Sequence, residues 1–266
     1  MKLLDFARWP VAAGFGTTLA IGPSNIVTLV AQNSNPSDFP VRHGSLCVSA
    51  KSFPKGAPND LYAAVVDNAA ELSVVLLSVR GGGERASVVG SEALARCKDA
   101  LQLRLPMYEI VSTLRSLSAN ERPCHIGAAV LRFSQPEARV EILNAGMPAI
   151  TCVLPDGELS FHHALSAGIG ERFGEVHPYE LSPLTWGSSW LVVSDSVTEG
   201  KRAPNELRAL WQAAELAVRG PELGQNAESL AETVVLLLGQ TESARAGTLL
   251  GVHADPTRRF RSGIRP

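Results

Sequence analysis

The residues best placed to do chemistry gather at one strand tip. In the stretch WLVVSDSVTEGK, residues 190–201, an apolar run leads into Ser194, Asp195 and Ser196, and Glu199 follows four residues after the aspartate. A strand that delivers an aspartate to its own C-terminal tip is a common way to hold a metal ion, because hard divalent cations take carboxylate oxygens. Ser196 is the anomaly, since a tight metal-holding turn favours glycine there. A second signal is the triplet Gly81-Gly82-Gly83, which closes another apolar run. Successive backbone N–H groups in glycine-rich turns make nests that suit anions.

Other chemistries find little support. Cys47, Cys97, Cys124 and Cys152 are scattered without CxxC spacing. That argues against a zinc knuckle or a disulfide framework and for a reducing, cytoplasmic compartment, with each cysteine a small buried apolar residue. His43, His177 and His253 show no metal-ligand spacing, and of His162-His163 in a strand only one can face a core. No G-x-S-x-G occurs, so a nucleophile elbow is not indicated.

The chain that must position these groups has 266 residues, 45% apolar and 19% charged, enough for one large packed domain with or without an added segment. A formal net charge of −2 gives no electrostatic case for nucleic acid. Arg258-Arg259-Phe260-Arg261, with Arg265, reads as a solvated basic tail over 254–266. Residues 10–36 carry no charge, but Gly14, Gly16, Gly22 and Pro23 interrupt them and no apolar run of ~18 residues survives, so no membrane span is expected. VAAGFGTTLAI and IVTLVAQ around the turn GPSN read instead as two strands of an N-terminal extension, residues 1–43.

Beyond that extension the pattern is strand-like in SLCVSA, LYAAVV and LSVVLL. Helical spacing follows: Val89, Ala93, Leu94, Cys97 and Leu101 share one face, as do Met107, Ile110, Val111, Leu114 and Leu117 after Pro106. IGAAVLRF, ARVEIL, AITCVL and ELSFHH then read as strands, and a long loop with Gly168, Gly170, Gly174 and Pro178 leads to WLVVSD. Two helical patches, residues 207–214 and 230–237, precede a last strand, GTLLGV. Strands, two helices, strands, two helices and a strand predict an α+β sandwich with sheets inside and helix pairs outside.

The order of motifs resembles the metal-dependent protein phosphatases, the PPM family, in the bacterial branch typified by the sporulation stage II E serine phosphatase. The resemblance spans residues 44–253 and rests most on Asn144-Ala145-Gly146-Met147-Pro148-Ala149 and Ser194-Asp195-Ser196-Val197-Thr198-Glu199. Asn59-Asp60-Leu61-Tyr62 is similar to the family's Gly-Asp-aromatic motif, with Asp60 keeping the acidic position. Ser78-Val79-Arg80-Gly81-Gly82-Gly83 is similar to its Asp-x-x-Gly-x-Gly turn, with Ser78 in place of the aspartate. Arg245-Ala246-Gly247-Thr248 stands where Asp-Asp-x-Thr is expected, which puts an arginine at the last metal aspartate. By the same resemblance His125 lies at the start of a core strand and reads as a buried or edge histidine.

The resemblance implies a four-layer α/β/β/α sandwich and two divalent cations, Mn²⁺ or Mg²⁺, whose bridging water attacks a phosphoserine. Asp195 and Asp60 would be the metal ligands, with Glu199 a further candidate. The substitutions weaken that centre: a serine hydroxyl supplies no charge, and a guanidinium ~5 Å from a dication costs roughly 6–7 kcal/mol at an effective dielectric of ~20. The sequence therefore predicts a degenerate metal site with no confident catalytic residue. Arg245, Gly81, Gly82, Gly83 and Ser78 become candidate anion or phosphate ligands. The implied role is a pseudophosphatase or weakly active phosphatase in phosphoserine-based partner switching, its partner similar to an anti-sigma-factor antagonist domain. Two readings stay open beside it: an active Mn²⁺- or Mg²⁺-dependent phosphatase using Glu84, Glu199 or Glu242, and a binding module of unrelated ancestry.

Overall fold

The computed structural model describes residues 18–21, 27–32, 40–53, 60–66, 71–81, 83–120, 124–170, 179–194 and 247–258. Its strands in chain order are β1 (Thr18–Ile21), β2 (Val27–Gln32), β3 (Pro40–His43), β4 (Leu46–Phe53), β5 (Asp60–Val66), β6 (Glu71–Gly81) and β7 (Cys124–Ser134). After them come β8 (Arg139–Ala145), β9 (Ile150–Val153), β10 (Leu159–His162), β11 (Tyr179–Pro183), β12 (Ser189–Val193) and β13 (Gly247–Ala254). Two helices, α1 (Ala86–Gln102) and α2 (Met107–Asn120), follow β6. Seven strands form one sheet in the order β1-β2-β5-β6-β7-β8-β11, and six form the other in the order β10-β9-β12-β13-β4-β3.

The central strands are apolar on both faces, which obliges a layer on each side. Leu61, Ala63, Val65, Val75, Leu77, Val79, Ile126, Ala128 and Val130 pack against α1 and α2. Their alternates, Tyr62, Ala64, Leu72, Val74, Leu76, Ala129, Leu131 and Phe133, pack against the second sheet. Side chains alternate along a strand, so one run of sequence serves both cores. The second sheet answers with Leu46, Val48, Ile150, Trp190, Val192, Leu250 and Val252. Phe133 and Trp190 meet edge to face across the layers, ring centroids 5.9 Å apart. Each such buried aliphatic or aromatic side chain contributes about 1.5–3 kcal/mol.

The helix pair buries the faces its periodicity predicts, Val89, Ala93, Leu94, Cys97 and Leu101 on α1 and Met107, Ile110, Val111, Leu114 and Leu117 on α2. Arg132 on β7 ties their connection to the sheet: it donates to the Leu105 carbonyl at 2.6 Å and pairs with Glu141 on β8 at 3.1 Å. On the outer face of the second sheet Leu191, Val193 and Leu249 are buried as well, although no helix among the described residues lies over them. The helical patches at 207–214 and 230–237 lie outside the described residues.

Several elements differ from the sequence reading. β6 does not end at Leu77 but runs on to Gly81, because Val79 still packs under α1 while Ser78 and Arg80 take the other face. The expected loop before WLVVSD contains β11, an edge strand that ends on a proline, where no inward N–H is needed. The two strands expected within residues 1–43 are present as β1 and β2, which extend the first sheet through β5, and β3, not expected from the sequence, pairs with β4 in the second. At the other end β13 continues through Ala254, which is buried, so the basic tail begins later than read.

Candidate functional site

Asp60 opens β5 and sits directly opposite Ser78 of β6. Both are buried, and the Ser78 hydroxyl donates to Asp60 Oδ1 at 2.8 Å. Strand parity with Tyr62, Ala64, Val74 and Leu76 turns the pair toward the space between the sheets. The same row continues to Gly127 on β7. One row further out Arg80 faces His125, both half-buried. Because Ser78 has one hydroxyl hydrogen and gives it to Asp60, it offers other ligands lone pairs only.

The neighbouring strand β8 carries Asn144 one residue before its end, and that side chain builds the crossing to the second sheet. Its amide nitrogen donates to the Pro148 carbonyl at 3.0 Å and the His162 carbonyl at 3.2 Å, while its oxygen accepts the Met147 N–H at 3.2 Å. Gly146 has φ +67°, and a Cβ there would stand 2.4 Å from the Gly168 nitrogen, so only glycine fits. The motif Asn-Ala-Gly-Met-Pro-Ala is thus a crossover that brings β9 up beside the end of β8.

That crossover fixes which ends of the two sheets meet. β9 pairs antiparallel with β12, so Ser194, following β12, lies at the end where residues 146–149 arrive. There the Ser194 N–H donates to the Thr248 carbonyl at 2.9 Å and the Thr248 N–H to Ser194 Oγ at 2.9 Å. A side-chain oxygen thus stands in for the next ladder carbonyl, and the β12–β13 pairing stops. Asp195 follows Ser194 directly, and Arg245 precedes Gly247 by two residues. The first sheet thus brings Asp60, Ser78, Arg80, His125 and Asn144 to the end of the sandwich at which the crossover leaves for β9, and the second sheet has Ser194 and Thr248 at the end where that crossover arrives.

Of the residues read from the sequence, Asp60 and Ser78 come together. Gly81 (φ +78°) and Gly83 (φ +57°) take left-handed backbone and bend β6 toward α1, which has no acidic residue in its first turn. Asp195, Glu199, Gly82, Arg245 and Glu242 lie outside the described residues, and Glu84 falls in the single turn Gly83–Arg85. Among the described residues no three His, Cys, Asp or Glu side chains converge as a metal site. The described residues supply one carboxylate, Asp60, and one neutral hydroxyl, Ser78, to this edge. Sequence reasoning passed over Arg80 and the Arg80–His125 pairing, because Ser78 to Gly83 reads as a turn and not as strand.

The remaining reactive groups are structural. All four cysteines are buried free thiols. Burial pushes Cys97 and Cys152 up to about 12, so neither is a thiolate nucleophile. Of the histidine pair, His162 turns inward to stack on Trp190 at 5.3 Å and meet Glu180 at 2.8 Å, while His163 is exposed.

Solved structures match this architecture. The RsbU and RsbW domains of a Mycobacterium tuberculosis protein superpose with a TM-score of 0.71 at 18% identity, covering 87% of this chain and 65% of that one. The chain has the fold of the PPM phosphatases. RsbX in complex with magnesium gives a TM-score of 0.60 at 14% identity over 80% of this chain and 98% of its own. The PP2C phosphatase domain of SpoIIE from Bacillus subtilis, with a regulatory fragment, gives 0.62 at 16% over 79% and 63%. This chain thus spans less than two thirds of the first and third. No protein-family model matches the sequence, and no curated protein does. Within the PPM fold, the Asp60–Ser78 row and the Ser194–Thr248 pair stand at one end of the two-sheet core.

Proposed function

We propose that this chain is a PPM-type phosphatase-like protein that takes part in phosphoserine-based partner switching as a pseudophosphatase. The observation that carries the reading is the Ser78–Asp60 hydrogen bond, a neutral hydroxyl where the resemblance expects a second carboxylate. Two carboxylates that close would need a cation between them, whereas an aspartate and a serine satisfy each other. Arg245, if it occupies the last ligand position, adds a positive charge to the same centre. Support for the regulatory setting comes from the neighbours, which include RsbU and RsbW domains and SpoIIE. The partner in this reading is a phosphoserine-bearing protein domain similar to an anti-sigma-factor antagonist. No helix among the described residues is long and apolar enough to cross a membrane, and four free thiols suit a reducing, cytoplasmic setting.

One observation favours a second reading. Asp60 remains a buried carboxylate at the edge, and with Asp195 it would give a single Mn²⁺ or Mg²⁺ two oxygen ligands. RsbX, with the same fold, has been seen with magnesium. Hydrolysis of a phosphoserine peptide with added Mn²⁺ separates the two. The pseudophosphatase reading expects release of phosphate at the rate of the metal-only blank, and turnover well above that blank would refute it.

A further inference from the structure

The first sheet ends in β11, and among the described residues no strand pairs with its outer edge. Leu184, the residue after β11, donates its N–H to the Ala138 carbonyl on the β8 side at 2.8 Å. Inward and outward backbone groups alternate along an antiparallel strand, and the β8–β11 register is unbroken, so Ser182 and Glu180 also bond inward. The N–H and C=O groups of Tyr179 and Leu181, and the C=O of Pro183, therefore point away from the sheet. The same three residues share the helix-side face with Leu143, yet Tyr179 is 46% and Leu181 61% exposed. An edge that presents open ladder groups and apolar side chains at the same residues is a template for another strand. Beneath it His162 of β10 meets Glu180 at 2.8 Å, so the edge strand of the second sheet lies on the same side of the sandwich.

We propose that β11 is a dimerisation edge, pairing antiparallel with β11 of a second copy of this chain. The occupant follows from the pattern of the strand itself, Tyr-Glu-Leu-Ser-Pro. With a two-fold axis at Leu181, the two leucines exchange both backbone hydrogen bonds, and each Tyr179 N–H meets the Pro183 carbonyl of the other copy. The N–H that Pro183 lacks falls at the outermost position, where the Tyr179 carbonyl stays open to water. On the helix-side face Leu181 then opposes Leu181 and Tyr179 opposes Pro183, all apolar. On the other face Glu180 opposes Ser182, so no like charges meet. An axis at Glu180 would set two carboxylates opposite each other, and one at Ser182 would leave Tyr179 outside the ladder. A ladder of five residues is small beside the roughly 1,200 Å² that stable complexes bury, so the dimer exchanges with monomer.

The test is sedimentation velocity of the full chain from about 1 to 200 µM, a range that spans a reversible interface of this size. A monomer–dimer equilibrium is expected. Leu181→Lys sets two ammonium groups against each other at the axis and is expected to weaken dimerisation about 10-fold or more. Leu103→Lys, at an exposed leucine just after α1, is expected to change nothing. Leu181→Cys gives a second readout, because directly hydrogen-bonded partners have Cα atoms about 5.5 Å apart, within reach of a disulfide. The four native cysteines are buried, so mild oxidation is expected to give a covalent dimer with Leu181→Cys and none with Leu103→Cys. Should Leu181→Lys fail to fold by circular dichroism, the Leu181→Cys cross-link decides. A chain that stays monomeric at every concentration would leave the edge to a strand of another protein and overturns the proposal. A dimer unchanged by Leu181→Lys overturns it too. Neither result involves metal or phosphoserine, so this inference and the pseudophosphatase reading fail separately.

Discussion

Ser78 gives its hydroxyl hydrogen to Asp60 Oδ1 at 2.8 Å from the directly opposite position on the next strand. A buried carboxylate needs compensation, and a charge-assisted hydrogen bond supplies part of it without a cation. The edge of the sandwich that resembles a metal centre is, in its described half, satisfied within the protein.

Replacing Ser78 by alanine removes that donor and leaves Asp60 less compensated. The expected cost is about 1–3 kcal/mol, read from the midpoint of urea unfolding at pH 7. Ser78→Asp instead sets two carboxylates face to face, which raises the apparent pKa of the pair. A raised carboxylate pKa destabilises above that value, so this variant should gain stability relative to the parent as pH falls from 7 toward 5.

Gly146→Ala tests the crossover. Alanine at φ +67° is strained, and its Cβ would meet the Gly168 backbone at 2.4 Å, which no side-chain rotation relieves. A loss of about 2 kcal/mol or more is expected in the same unfolding assay. A variant as stable as the parent would mean the crossover is looser than described.

Arg132 and Glu141 are a poorly exposed pair at 3.1 Å between β7 and β8, with Arg132 also holding the α1–α2 connection. Removing either partner leaves the other charge buried, so Arg132→Met and Glu141→Leu should each cost about 3 kcal/mol. The double variant should be less destabilised than the sum of the two, and a double-mutant cycle measures that coupling. Additive losses would contradict a desolvated pair.

His253 predicts a pH dependence. Burial lowers its pKa below the ordinary value, while Asp255 and the Ser188 backbone pull it up more weakly. The unfolded chain therefore takes a proton first as pH falls. This group's contribution is complete above the ordinary histidine value, ~6.5, and is lost as pH drops through the window below it. His253→Asn should flatten the stability profile between pH 7 and 5, and an unchanged slope would assign it to other groups.

How much of this is legible in the sequence depends on whether a residue's role repeats along the chain. The α1 and α2 faces recur every three to four residues, so Val89 to Leu101 and Met107 to Leu117 can be read directly. The two-sheet core is legible for the same reason with a period of two. β11 is not, because Tyr179, Leu181 and Pro183 face outward on an edge strand and bury little. The site is half legible. Asp60 and Ser78 can be aligned by motif, but that they touch is a matter of register. Arg80 and His125, 45 residues apart in sequence, become neighbours only when β6 and β7 pair. No local pattern records such a meeting.

The most direct measurement of the central claim is calorimetric titration of the native chain with Mn²⁺ at pH 7.5, beside a Ser78→Asp/Arg245→Asp variant. The account predicts no saturable two-site binding by the native chain and recovered affinity in the variant, since each aspartate restores a hard oxygen ligand and one of them removes a positive charge. Tight binding of two manganese ions by the native chain would contradict it. The Asp60–Ser78 edge would then belong to a working metal centre.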